Sequence, residues 1–445
     1  MFERAIRATA GVLESSVPFS SVEVSSVMKV KRLNAVLVLL VLVGVTAGIA
    51  AARVTAPQKT TTITFWDAYS TGGAEVQHLE KTIIPAFEKS HPGIVVKDVT
   101  IPYDSLHQKL VTAVAGSQLP DLVRSDIIWV PELANLGVLA PLDQALPDFK
   151  SLSATVYPGP LATNYWKGHY YGLPLDTNTR IWVYNPAALT AIGASGPPTT
   201  FAQLKSMSAQ AKAKGYDLYA ESGTSCWNVC PWIWSNGGSV TNKTYTQATG
   251  YLNGPKSVAA IQMLVDLYKA GQMPGIIVDS NAGLGTYDGI NQNKYVATLD
   301  GPWAFAIFAG AYKNTKLAGS LIPAGPSGSV SVVGGEDIVM TKSSKNKTAA
   351  EEFMRYMLGS FAQTQMARAG QMPVIKTSSK WLTKIHPYYA TYLKQIANAK
   401  PRTPTPKWTQ IDQVITTDVA KAFQGSESVQ QALTEAATQI DGLLK

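Results

Sequence analysis

The chain has 445 residues, 46% of them hydrophobic and only 15% charged. That composition excludes a disordered protein, and that length is too great for one compact core, so two or three domains are expected. The net charge is +8. The first 53 residues hold six Lys/Arg against three Asp/Glu, which leaves a mild excess of +5 for the rest, with no dense basic tract, so nucleic acid is excluded as an expected partner.

The first feature in chain order is Ala35–Ala52, an uncharged apolar run preceded by Lys29, Lys31 and Arg32. A basic flank, an apolar segment and the Ala50-x-Ala52 pattern fit a signal peptide. The run is also near the ~18-residue lower limit of a spanning helix, so a retained anchor fits as well. No Cys follows it, which argues against a lipoprotein anchor, and Met28 gives the more ordinary signal layout as a start. Either way the chain is expected at the outer face of the cell membrane, with residues 1–56 as signal or anchor plus linker.

Thr62–Trp66 alternates as a strand and ends in the polar loop Asp67–Gly73. Glu75–Ser90 has helical spacing and stops at His91-Pro92-Gly93. Ile94–Val99 reads as a strand, Ser105–Ala115 as a helix, Pro120–Arg124 as a strand and Trp129–Asn135 as a helix. This alternation predicts a parallel sheet covered by helices, with ligands beyond the carboxyl ends of the strands. The loops Asp67–Gly73 and Ser125–Trp129 lie at such ends.

Tyr170–Pro174 reads as a short extended piece ending in a Gly-x-Pro turn, followed by Ile181–Tyr184 as a strand. Phe201–Lys214 is a helix and Tyr216–Ser222 a strand. Cys226–Trp234 is dense in aromatics and holds both cysteines. In an exported chain Cys226 and Cys230 are a candidate disulfide; two free buried thiols remain the alternative, and a metal site is weaker because two thiols make half a ligand set. After the helix Lys256–Ala270 comes Tyr295–Phe305, YVATLDGPWAF: a buried strand, a turn at Gly301-Pro302, and Trp303 just past it. A Trp on such a turn is either a core aromatic or a flat apolar plate for the face of a sugar ring. Val330–Met340 reads as a strand interrupted by Gly334-Gly335, Ala349–Leu358 as an amphipathic helix, and Pro401–Pro406 as a linker before two terminal helices.

In order and spacing these pieces resemble the extracellular solute-binding proteins of carbohydrate ABC importers, the group that includes maltose-binding protein. The carrying segments are ITFWDAYS, LVTAVAGSQLPDLVRSD, LANLGVLAPLD, YYGLPLDTNTRIWVYN, YVATLDGPWAF, GGEDIVM with AAEEFMRYML, and PRTPTPKW. The resemblance implies an α/β fold, two-lobed as in periplasmic binding proteins, with interlobe crossover strands and a ligand cleft. Lobe one would take 57–176 plus 335–370, and lobe two 177–334 plus 371–445. It implies a monomer that binds a carbohydrate, a di- or oligosaccharide, closes by hinge motion and delivers the sugar to ABC permease subunits, with no cofactor and no catalysis. By position it implies contacts from Asp67, Tyr69 and Ser70, from Ser125 and Asp126, from Asp176, Asn178 and Thr179, from Trp303, and from Gly335, Glu336 and Asp337. Asp67 and Asp126 read equally as helix caps, and Asn178 as a turn residue. Trp227 and Trp232 lie outside the family's stronger motifs and read either as core or as an extra stacking wall.

Two rivals differ in kind. A phosphorylated polyol such as glycerol 3-phosphate would call for Arg or Lys in the cleft, and Arg124 and Arg180 are the nearby candidates, both expected to pair with carboxylates. An exported carbohydrate-active enzyme would need paired carboxylates, but no motif groups such a pair, and no nucleophile elbow, phosphate loop or metal-ligand spacing is found.

Overall fold

Two β-sheets, each covered by helices, carry the molecule. The computed structural model describes residues 60–69, 73–279 and 285–445. The expected signal or anchor segment, Met28 as a start, and Ser70 lie outside the described residues.

The strands of the first sheet are β1 (Thr61–Asp67), β2 (Ile94–Thr100), β3 (Leu122–Asp126) and β4 (Gly172–Thr179). The second sheet contributes β5 (Ile181–Tyr184), β6 (Asp217–Tyr219), β7 (Tyr295–Asp300) and β8 (Ala318–Ser320). The long β9 (Ser331–Met340) and the short β10 (Ala399–Lys400) complete the first. The first sheet runs β10-β9-β3-β1-β2, with β4 also on β9, and the second runs β8-β5-β7-β6. β1 is parallel to β2 and β3, as the alternation of strands and helices demands.

Adjacent residues of β3 supply both faces of the first sheet, because side chains alternate along a strand. Leu122 joins Ile63, Phe65, Phe87 and Phe353 on one face, and Val123 joins Leu106, Trp129 and Val339 on the other. The second sheet packs with the helices Pro255–Lys269, Trp408–Gln424 and Val429–Leu443, through Trp182, Ile261, Trp408 and Leu433. The helix expected over Glu75–Ser90 runs from Ala74 to Ser90 but passes through a wide π-turn at Leu79–Ile83.

The crossings between the sheets differ from expectation in a consistent way. Gly172-Leu173-Pro174 makes no turn: β4 runs straight through it, and Arg180 alone separates β4 from β5. Pro174 has no N–H to donate, and the ladder absorbs it as a bulge, Asp337 facing Pro174 while Glu336 faces Asp176. Nor do Gly334 and Gly335 interrupt β9, since they stay paired with Asn178 and Thr177. Gly335 takes φ +143, and a Cβ there would meet the backbone oxygen of Asp176 at 2.6 Å. Glycine is therefore required where the two crossing strands press together. The third expectation that fails is the linker: Arg402 and Thr403 within the Pro-rich stretch are buried.

Among the described residues no helix is long and apolar enough to cross a membrane, and no group of three His, Cys, Asp or Glu side chains could hold a metal ion.

Candidate functional site

The crossing strands place Asp176 and Asn178, two residues apart on β4, on one face. Opposite Asn178 stands Gly334, and a Cβ on it would meet Asn178 Oδ1 at 2.1 Å and the Trp227 ring at 2.8 Å. Trp227 can thus lie against the strand only because residue 334 has no side chain. Its ring stacks with Trp303, centroids 6.2 Å apart and planes 23° from parallel. Both indoles are half-buried. Trp303 begins the helix Trp303–Ala311 directly after the Gly301-Pro302 turn.

Arg124, on β3, fills the space beside Asp176. Its Nη2 reaches Asp176 Oδ2 at 3.1 Å and Glu336 Oε2 at 2.7 Å, and its guanidinium lies 4.1 Å from the centre of the Tyr69 ring. Burial works against the Arg124 charge, but Glu336 and Asp176 outweigh it and hold the group above its usual pKa. Burial pushes Glu336 well above the normal carboxylate range, with Arg124 opposing and Asp176 adding to the rise. Burial likewise raises the Tyr69 hydroxyl.

Asp126, at the end of β3, accepts from Tyr103 Oη at 2.6 Å, from the Ile128 N–H at 3.0 Å and from Arg402 Nη2 at 3.1 Å. It therefore both fixes the following turn and ties the Pro-rich segment into the cluster. The guanidiniums of Arg402 and Arg180 each stand 5.6 Å from the Trp227 ring. Arg180 pairs with Glu221 at 2.9 Å and donates to the Trp227 carbonyl at 2.9 Å. Asp300 accepts from Tyr287 Oη at 2.5 Å and from the Gly301 N–H at 2.7 Å.

Of the residues expected at the site, the structure thus brings together Tyr69, Asp126, Asp176, Asn178, Trp227, Trp303 and Glu336, with Gly335 in the backbone beneath them. It does not bring the others. Asp67 is wholly buried and accepts from the Tyr69 N–H and Thr100 Oγ1; it is neither a helix cap nor open to a ligand. Ser125 is a buried strand residue, not a loop residue, because β3 extends to Asp126. Thr179 alternates away from Asn178 and donates to the Val332 carbonyl. Asp337 alternates away from Glu336 and is held by Asn164 at 2.7 Å and by Thr163. Trp232 is fully buried, its Nε1 donating to Tyr219 Oη, and belongs to the core.

Cys226 and Cys230 are bridged within the helix Cys226–Ser235 that presents Trp227. The Cys226 N–H donates to Asp412 Oδ1 at 2.7 Å, anchoring this helix start on the terminal helices. Arg402, Tyr103, Glu221 and Asp300 escaped sequence reasoning. A single Arg among prolines offers no period to read; its one signal is an arginine in a segment otherwise short of charge.

Three orphaned groups mark what the cluster can do. Tyr69 Oη, Asp176 Oδ1 and Asn178 Oδ1 are buried without a partner. Such groups are costly to leave unpaired, so they favour a ligand bearing many donors. Flat aromatic plates beside convergent polar groups are the usual make-up of a sugar site. Each of Arg124, Arg180 and Arg402 already has a carboxylate partner, an arrangement that does not favour the phosphorylated polyol. A groove of about 740 Å³ is lined by Arg402 together with Thr177, Val333, Met372, Leu382 and Ile396. Its lining is mostly apolar, and Thr177 and Val333 alternate with Asn178 and Gly334.

The fold and this cleft define a two-lobed binding protein of the periplasmic type. Residues 73–364 match the bacterial extracellular solute-binding proteins, and the chain belongs to that family. A binding protein of Brucella abortus (strain 2308) is 26% identical over 380 residues, covering 81% of this chain and 88% of that one. An ABC transporter-binding protein of Deinococcus radiodurans is 25% identical over 348 residues, 72% of this chain and 79% of that one. The GacH receptor of Streptomyces glaucescens, solved unliganded and in complex with acarbose, superposes with a TM-score of 0.78 at 25% identity, over 86% of this chain and 98% of that one.

Proposed function

We propose that this protein is the extracytoplasmic binding subunit of an ABC importer, which captures a di- or oligosaccharide in the cleft by hinge closure and passes it unaltered to membrane permease subunits. The observation that carries this reading is the Trp227–Trp303 pair set beside the buried, unpartnered acceptors of Asp176 and Asn178. Indole planes cover the C–H faces of sugar rings, and the acceptors take hydroxyl protons. The match of the GacH receptor, which binds acarbose, supports a sugar. In this reading lobe one is 57–176 with 335–370 and lobe two 177–334 with 371–445. Val374 and Ile375 pack with the core of the first sheet, which supports moving the last lobe boundary from 370 to a few residues later. The protein works as a monomer and is exported.

A thermal-shift screen of mono-, di- and oligosaccharides tests this, because a ligand of the folded state raises apparent stability. For the sugar found, Trp227→Ala should weaken binding by about 2–4 kcal/mol, roughly thirtyfold to a thousandfold, with a smaller change in melting temperature. A variant that melts far lower yet binds normally would make Trp227 a core residue. Release of new sugar products by the pure protein would favour an enzyme.

A further inference from the structure

The charges around the cleft do not balance, and the imbalance narrows the ligand further. Three guanidiniums, of Arg124, Arg180 and Arg402, face a larger set of carboxyls. Arg124 is shared by Asp176 and Glu336, and Arg402 takes Asp126 with Asp412 nearby. Arg180 takes Glu221 with Asp300 nearby. That makes six carboxyls to three guanidiniums; without a ligand the proton held on Glu336 beside Asp176 offsets part of this excess, and Asp176 Oδ1 has no further partner at 3% exposure. Asn178 Oδ1 and Tyr69 Oη are likewise buried and unpartnered.

We propose that the sugar carries a basic nitrogen, and that Asp176, Asn178 and Glu336 select an amino sugar over its hydroxyl counterpart. This rests on the sugar-binding reading above. An ammonium brings three donors and one positive charge, whereas a hydroxyl brings one donor and none. In a partly dry cleft that charge answers a carboxylate surplus far more strongly than it would in water. In the empty site, burial and the neighbouring Asp176 hold a proton on Glu336. The groups facing Glu336 are Arg124 and Asp126 from β3, Asp176 from β4, Tyr103 and Arg402. An arriving ammonium supplies the missing positive charge, so Glu336 gives up its proton to solvent. An anionic sugar would add to the surplus and is rejected.

The test is calorimetric titration of the full chain at pH 6.5 with two matched pairs: trehalosamine against trehalose, and the glucosamine disaccharide of chitosan against cellobiose. Cellobiouronic acid serves as the anionic control. The amine-bearing member of at least one pair should bind at least tenfold more tightly than its neutral match. Its binding should release protons, seen as a heat that varies with buffer ionisation enthalpy. Glu336→Gln should shrink both the affinity ratio and the proton release. Equal or tighter binding of the neutral members, or of the uronate, overturns the proposal. So does a sugar found in the thermal screen while neither amine binds. Failure of every sugar to bind removes the sugar-binding reading itself.

Discussion

Asp300 ends β7 and shapes the turn that presents Trp303, so its protonation touches both stability and site. Burial pushes its carboxyl up to about 6 from an ordinary 3.8, with Arg180 and the Tyr287 hydroxyl pulling the other way. Between those two values the native protein holds a proton that the unfolded chain has released. Asp300 therefore lends its stability below about pH 4, and that contribution is lost as the pH rises through about 6. The shift corresponds to about 3 kcal/mol at most. Asp300→Asn keeps an acceptor for the Gly301 N–H and a polar group for Tyr287, but cannot ionise. Urea unfolding at pH 4, 5, 6 and 7 should show the variant gaining on the parent as pH rises. Two parallel pH profiles would mean that Asp300 has the same pKa in the folded and the unfolded chain.

At the scale of elements, the crossing strands hold the clearest lesson about what the sequence carries. The β-α-β alternation, the terminal helices and the strand Tyr295–Asp300 are legible because hydrophobic spacing dictates them. Gly172-Leu173-Pro174 and Gly334-Gly335 advertise special backbone, and the structure does place a bulge and a positive φ there, but inside continuous strands. Local residues reveal that the backbone is unusual; the partner strand decides whether it bends. The helix Cys226–Ser235 shows the same limit for side chains. Trp227 and Trp232 are five residues apart, about 140° round a helix, so they point to different sides. Both sides are apolar, and composition could not tell cleft from core. Gly335→Ala tests the tight crossing directly. It forces a Cβ onto the Asp176 carbonyl and a side chain into a positive-φ conformation. The expected loss is about 1–3 kcal/mol from the backbone strain alone, read as a lower urea midpoint with unchanged slope. An unaltered midpoint would show that β4 and β9 can separate freely.

At the scale of the whole molecule, the buried orphans bear on which state the protein occupies. Asp176, Asn178 and Tyr69 are each at most 3% exposed. A closed cleft without ligand leaves these groups unsatisfied, at about 1–3 kcal/mol apiece. Opening lets water reach them. A few kcal/mol is enough to make the closed form a minor one, and a sugar that supplies the missing partners reverses the ratio. On the proposed hinge reading the free protein should therefore open in solution. Small-angle scattering should show the radius of gyration falling when the sugar is added. The same sugar at a hundred times its Kd should add about 2.7 kcal/mol of apparent stability. Binding with that stabilisation but no contraction would mean that the cleft is already closed before the sugar arrives. The orphaned acceptors would then be hydrated in place, and the hinge would have no part in capture.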